Sequence, residues 1–148
     1  MSNELLSMIE REVLGWPGVW KKRDEDGPGG VGVTGYRFGR PQIGHVHDDG
    51  HADFSFPREA RDELIQTGQA IAHPAFPNSR TTVSSRIRSA EDVPKALELF
   101  RMNYERLKES AERQAEHRKE RNGPAAKPRE RWPSRKAPRV AVGSHRQR

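Results

Sequence analysis

The stretch from Ile43 to Pro57, Ile43-Gly44-His45-Val46-His47-Asp48-Asp49-Gly50-His51-Ala52-Asp53-Phe54-Ser55-Phe56-Pro57, constrains the fold more than any other. Polar and apolar residues alternate on both sides of Asp49-Gly50, as in two strands joined by a tight turn. Successive side chains of a strand point to opposite faces, so the loop length decides which residues share a face. A two-residue loop, Asp49-Gly50, would set His45 and His47 beside Ala52, Phe54 and Phe56. A three-residue loop, Asp48-Asp49-Gly50, with Gly50 at the left-handed position of a bulge, pairs His47 with His51 and His45 with Asp53. One face then carries His45, His47, His51, Asp53 and Ser55, and the other Val46, Ala52, Phe54 and Phe56. This register separates polar from apolar far better and is the one expected. It predicts a hairpin with a core side and an imidazole-rich side.

The rest of the chain supplies partners for that core side. Residues 3–14 read as a helix with Leu5, Leu6, Met8, Ile9 and Val13 near one face, a cap at Ser2 or Asn3, and a stop at Gly15. Trp16 and Trp20 flank a Pro-Gly turn and are expected to cover the core edge. Lys21 to Gly30 reads as a charged, then Gly/Pro-rich, loop. Gly30 to Gly35 spells GxGxxG, but Tyr36-Arg37-Phe38 alternates like a strand where a dinucleotide site needs a helix. Val31 to Phe38 is therefore expected as the first strand. Pro57 opens a helix over Arg58 to Thr67, closed by Gly68. Ala70 to His73 is a short extended segment, and Arg80 to Arg88 a further strand. Val93, Ala96, Leu97, Phe100, Tyr104 and Leu107 recur at spacings of three and four, which predicts a last helix lying on the sheet.

Charge is unevenly distributed. Of the net +6, Ala111 onward contributes 12 Lys/Arg against 4 Asp/Glu, leaving 15 against 17 in the rest. Hydrophobic residues make up only 32% of the 148, so the core cannot extend over the whole length. The expectation is one α+β domain, residues 1–110, in which three helices pack an antiparallel sheet of four to five strands. An exposed charged helix extension follows over 111–121, and a disordered basic tail over 122–148. The absence of cysteine excludes disulfides, thiolate metal sites and cysteine nucleophiles. No stretch resembles a signal peptide or a membrane span, so a cytoplasmic chain is expected.

Several segments resemble the luciferase-domain family. They are Leu14 to Val19, Ile43 to His47, Asp53 to Pro57, Arg61 to Leu64, His73, Pro77-Asn78-Ser79, Val83-Ser84, Arg86-Ile87-Arg88 and Glu91 to Glu105. Together they run from about residue 13 to 107. The family tends to carry an aromatic after its Pro-x-Ser motif, where this chain has Thr81-Thr82. The resemblance implies a small-molecule domain, and its fungal member oxidises a hydroxylated pyrone with molecular oxygen and no added cofactor.

The residues themselves point to acid–base chemistry. Imidazole titrates near neutral pH, so His45 or His47, oriented by Asp53, can take a proton from a phenolic or enolic small molecule. His51, His73, Ser79 and Arg86 are expected to contact that ligand. No resident cofactor is expected. Three imidazoles and a carboxylate also suit zinc or non-haem iron. That version ranks second, because histidines so close in sequence can line one face without converging on a point. The alternative is a binding module that holds nucleic acid through tail residues Arg129, Arg131, Trp132, Arg135 and Lys136.

Overall fold

The computed structural model describes residues 1–123, so nearly all of the expected tail lies outside the described residues. The elements run α1 (Asn3–Val13), β1 (Val19–Asp24), β2 (Val33–Phe38), β3 (Gln42–His47), β4 (His51–Ser55), α2 (Arg58–Gln66), β5 (Ile71–Ala72), β6 (Thr82–Arg86) and α3 (Val93–Asn122). The fold is α+β. Its six strands form one antiparallel sheet in the order β1-β2-β3-β4-β6-β5. Among the described residues, no helix is long and apolar enough to cross a membrane.

The strand count exceeds the expected four to five because Val19 to Asp24 pairs with β2 as an edge strand. Lys21, Lys22 and Arg23 made this segment read as loop. Charged side chains are what an edge strand tolerates, since they discourage pairing with another chain. Val33 to Phe38 is a strand and no helix follows it, which removes the context that a dinucleotide fingerprint requires. Of the two tryptophans, Trp16 is buried and stacks 5.2 Å from Tyr104. Trp20 is 46% exposed, with its indole N–H donating to the Gly39 carbonyl.

The hairpin adopts the three-residue loop. His45 lies opposite Asp53, Val46 opposite Ala52 and His47 opposite His51. Gly50 sits at φ +104°, and the backbone of Ile87 leaves a Cβ no room there: its carbonyl oxygen would be 2.8 Å away. Side chains at Tyr36, Val46, Ala52, Phe54 and Val83 line the core side of the sheet. Helix α3 covers that side, with Phe100 crossing edge-on to Phe54 at 4.7 Å and to Tyr36 at 5.5 Å. Helix α1 adds Leu5, Ile9 and Val13 at a spacing of four, beneath a cap in which Ser2 accepts the Leu5 N–H. The last helix buries Leu99 and Asn103 besides Val93, Ala96, Phe100 and Tyr104 of the expected stripe, while Leu97 and Leu107 are only partly buried.

Two residues fit β3 to that helix. A Cβ on Gly44 would lie 2.7 Å from the Phe54 ring and 2.9 Å from Phe100, so only glycine allows the close approach. A bulge falls at Ile43, where the β2–β3 register shifts. Its carbonyl is taken up by buried Asn103, whose Nδ2 donates to Ile43 at 2.7 Å and to the Ser55 carbonyl at 3.2 Å. Gly44→Ala is expected to lower stability by about 1–3 kcal/mol through overpacking. Asn103→Leu should cost about 1–3 kcal/mol by stranding the buried Ile43 carbonyl. Urea denaturation checks both, and wild-type midpoints would contradict this account of the β3–α3 contact.

Candidate functional site

The sheet face away from α3 gathers the histidines. Strand β3 contributes His45 and His47, β4 contributes His51 and Asp53, and β6 contributes Ser84 and Arg86. Cross-strand pairing fixes two rows on this face: His45, Asp53, Ser84 and, one step along, His47, His51, Arg86. His73 follows the short β5, in which Ile71 pairs with Ser84, and so reaches the same face.

Asp53 is the centre. Its side chain is 2% exposed, and four imidazole Nε2 atoms surround its Oδ2: His47 at 2.9 Å, His45 at 3.1 Å, His73 at 3.3 Å and His51 at 3.5 Å. The Ser84 hydroxyl donates to the other oxygen, Oδ1. The His47 and His51 rings stack at 4.1 Å, and His45 meets His47 edge-on at 4.9 Å. The convergence that the sequence left open is therefore present. The donor atoms of His45, His47 and Asp53 all lie within 4.8 Å of one another.

Partners on the far side of each ring assign the tautomers. His45 Nδ1 donates to Gln42 Oε1 at 2.9 Å, and His51 Nδ1 donates to Asp49 Oδ1 at 2.7 Å. His73 Nδ1 instead accepts the backbone N–H groups of Ala75 and Phe76, at 3.1 and 3.3 Å. Neutral His73 must then carry its proton on Nε2 and donate it to Asp53, whereas neutral His45 and His51 present lone pairs there. Nδ1 of His47 makes no hydrogen bond among the described residues.

The electrostatics follow from this crowding. Burial opposes the charge on Asp53, but hydrogen bonds, from His45 when its ring is protonated and from Ser84, together with the positive charge of protonated His51 and His45, outweigh it and hold the carboxyl well below its usual range. His47 is pushed down, first by burial and then by the neighbouring His51 and His45, with Asp53 opposing.

A cavity of about 590 Å³ opens beside the cluster, with His51, Ser84, Ile71, Arg86, Arg88 and Met1 in its wall. Neither arginine makes an ion pair among the described residues. Phe76, 65% exposed, has its ring 5.1 Å from that of His73. Of the residues expected from sequence, His45, His47, His51, His73 and Asp53 come together and Arg86 flanks them. Ser79 does not join them: its hydroxyl donates to Thr82 Oγ1 at 2.9 Å and accepts the Thr82 N–H at 3.2 Å, closing its own loop. Ser84, Gln42 and Asp49 were not foreseen as site residues. The first carries no signal until β6 is known to pair with β4. Arg129, Arg131, Trp132, Arg135 and Lys136 lie outside the described residues.

The family model described as the luciferase domain matches residues 40–103. The resemblance is thus borne out over that segment. The match is narrower than the 13–107 expected and covers somewhat less than half of the chain, yet it contains every residue of the cluster. Neither a curated protein nor a solved structure matches.

The shifts fix a pH dependence. A histidine whose pKa is lowered by folding stabilises the fold fully above its unfolded value of about 6.5, and that contribution is lost as the pH falls through it. For Asp53, also lowered, the loss comes below an unfolded value of about 3.9. In chelator-treated protein the thermal midpoint is expected to drop in two stages on acidification, the first near pH 6.5. His47→Gln should flatten the first stage and leave the second. A wild-type midpoint constant from about pH 7.5 to 5.5 would contradict the assignment of a neutral, buried His47.

Proposed function

We propose that this luciferase-like domain binds a small molecule bearing an acidic phenolic or enolic hydroxyl, takes its proton at the histidine cluster and holds the resulting anion. The observation that carries the reading is the convergence of four imidazoles on one buried carboxylate beside an open cavity. A group that must accept a proton near neutral pH has to be neutral beforehand, and the burial of His47 favours that state. His45 or His47 is the acceptor, and Asp53 orients the ring. Arg86 and Arg88 supply positive charge on the cavity wall for the anion, and exposed Phe76 offers an aromatic face to a ringed ligand. The oxidising form of the reaction, with oxygen attacking the sheltered anion, is supported by the family match and not by the geometry.

The test is binding of a panel of phenols and enolisable ring compounds, followed by calorimetry and by ligand-detected NMR. Full-length protein is expected to bind, and protein ending at Arg121 to bind equally. The double variant His45→Ala/His47→Ala should lose at least about tenfold in affinity, or about 1.4 kcal/mol. Undiminished binding by the double variant would remove the cluster from the site.

A further inference from the structure

We infer that the cluster is a binding site for one divalent transition-metal ion, held by Nε2 of His45, Nε2 of His47 and a carboxylate oxygen of Asp53. The inference deepens the proposed function and rests on it for the location of the substrate. With a cation bound, His45 and His47 would hold it instead of accepting the proton, and the coordinated hydroxyl, made more acidic, would release its proton to solvent.

More imidazoles face Asp53 than can donate to it. Asp53 Oδ2 has two lone pairs, and the Oδ1 side already receives Ser84. His73 must donate to Oδ2, because its Nδ1 accepts two backbone N–H groups. His45 and His51 have given their Nδ1 protons to Gln42 and Asp49, so in the neutral state they aim lone pairs at a carboxylate oxygen 3.1 and 3.5 Å away. Lone pair facing lone pair in a buried site is repulsive unless positive charge lies between. A single cation resolves the arrangement.

The distances fit one. Imidazole and carboxylate donors bound at about 2.0–2.2 Å lie about 2.8–3.6 Å apart across the edge of an octahedron or tetrahedron. The Nε2 atoms of His47 and His45 are 2.9 and 3.1 Å from Oδ2, and the three donors fall within 4.8 Å of one another. Gln42 acts as the outer partner that fixes the ring of a liganding histidine, and Asp49 does the same for His51. His51, 3.5 Å from Oδ2, is placed to complete the set. His73 is excluded as a ligand by its tautomer and serves to hold the carboxylate. Two imidazoles and one carboxylate, without sulfur, select a zinc- or iron-class ion over calcium or magnesium, which prefer all-oxygen shells.

The test uses the full chain, stripped with chelator and titrated with Zn²⁺ alone by calorimetry, with Co²⁺ alone by visible d–d absorption, and with Mg²⁺ as comparison. One Zn²⁺ or Co²⁺ per chain and no comparable Mg²⁺ binding is expected. His45→Gln and His47→Gln should each weaken Zn²⁺ binding by at least about tenfold, and His73→Gln by less than either. His117→Gln, on the exposed part of α3, should change nothing. Circular dichroism checks each fold. If His47→Gln unfolds, His45→Gln, whose ring is 29% exposed, decides the matter. Absence of stoichiometric Zn²⁺ and Co²⁺ binding by the wild type overturns the inference, as does binding that survives both cluster substitutions. Phenol binding by metal-free wild-type protein that is unchanged when Zn²⁺ is added overturns the cation's role while leaving the proposed function standing. Stoichiometric metal binding without binding of any phenol or enol sustains the metal site and removes the proposed function.

Discussion

Everything at the site depends on the register of one hairpin. Inserting Asp48 into the loop shifts β4 by one residue against β3 and sends each of its side chains to the opposite face. With Asp48 outside the loop, His45 and His47 would sit in the same layer as Phe54, and the buried aromatic contact with Phe100 would be replaced by imidazole. Gly50 holds the longer loop by tolerating a positive φ and by leaving room for the Ile87 backbone, which closes on it through an N–H to carbonyl bond of 2.7 Å. The same residue therefore fixes the hairpin register and docks the end of β6. Docking β6 in turn brings Ser84 opposite Asp53.

That chain of consequences explains how a carboxylate survives at 2% exposure. An isolated buried charge would be neutralised by an upward pKa shift. Here the Ser84 hydroxyl donates from β6 and His73 from the end of β5, and the imidazoles of β3 and β4 pack around the same carboxyl. Strand positions set by cross-strand pairing hold side chains more tightly than loop positions do. The glycine on the far side of β3, Gly44, lets α3 approach the same strand closely. The core thus buttresses the strand that carries both His45 and His47.

The parts legible in sequence were those with a local cause. The hairpin register followed from alternation and one glycine, the first helix from a Ser cap and a spacing of four, and the last helix from its stripe. The β1 strand was hidden because Lys21, Lys22 and Arg23 look like loop when no partner is known, and only β2 across the Gly/Pro turn turns them into an edge. Asn103 was hidden because a polar residue interrupts an apolar stripe. Its reason, the buried carbonyl of Ile43, lies 60 residues away. Convergence at Asp53 was undetermined for a similar reason. Alternation says that side chains share a face, and only the pairing of β4 with β6 and the reach of His73 bring them to one atom.

The outer partners of the rings give the cluster a polarity that its composition conceals. Gln42 and Asp49 turn two imidazoles into acceptors at the centre, while the backbone of Ala75 and Phe76 turns a third into a donor. Around the carboxylate the site is consequently cation-seeking. The adjoining cavity is mixed in charge, since Arg86 and Arg88, neither in an ion pair among the described residues, share its wall with Asp49. For the proposed ligand, a planar body carrying an oxyanion, a metal at the proposed site would receive the oxygen, and the two arginines would lie toward any further negative group.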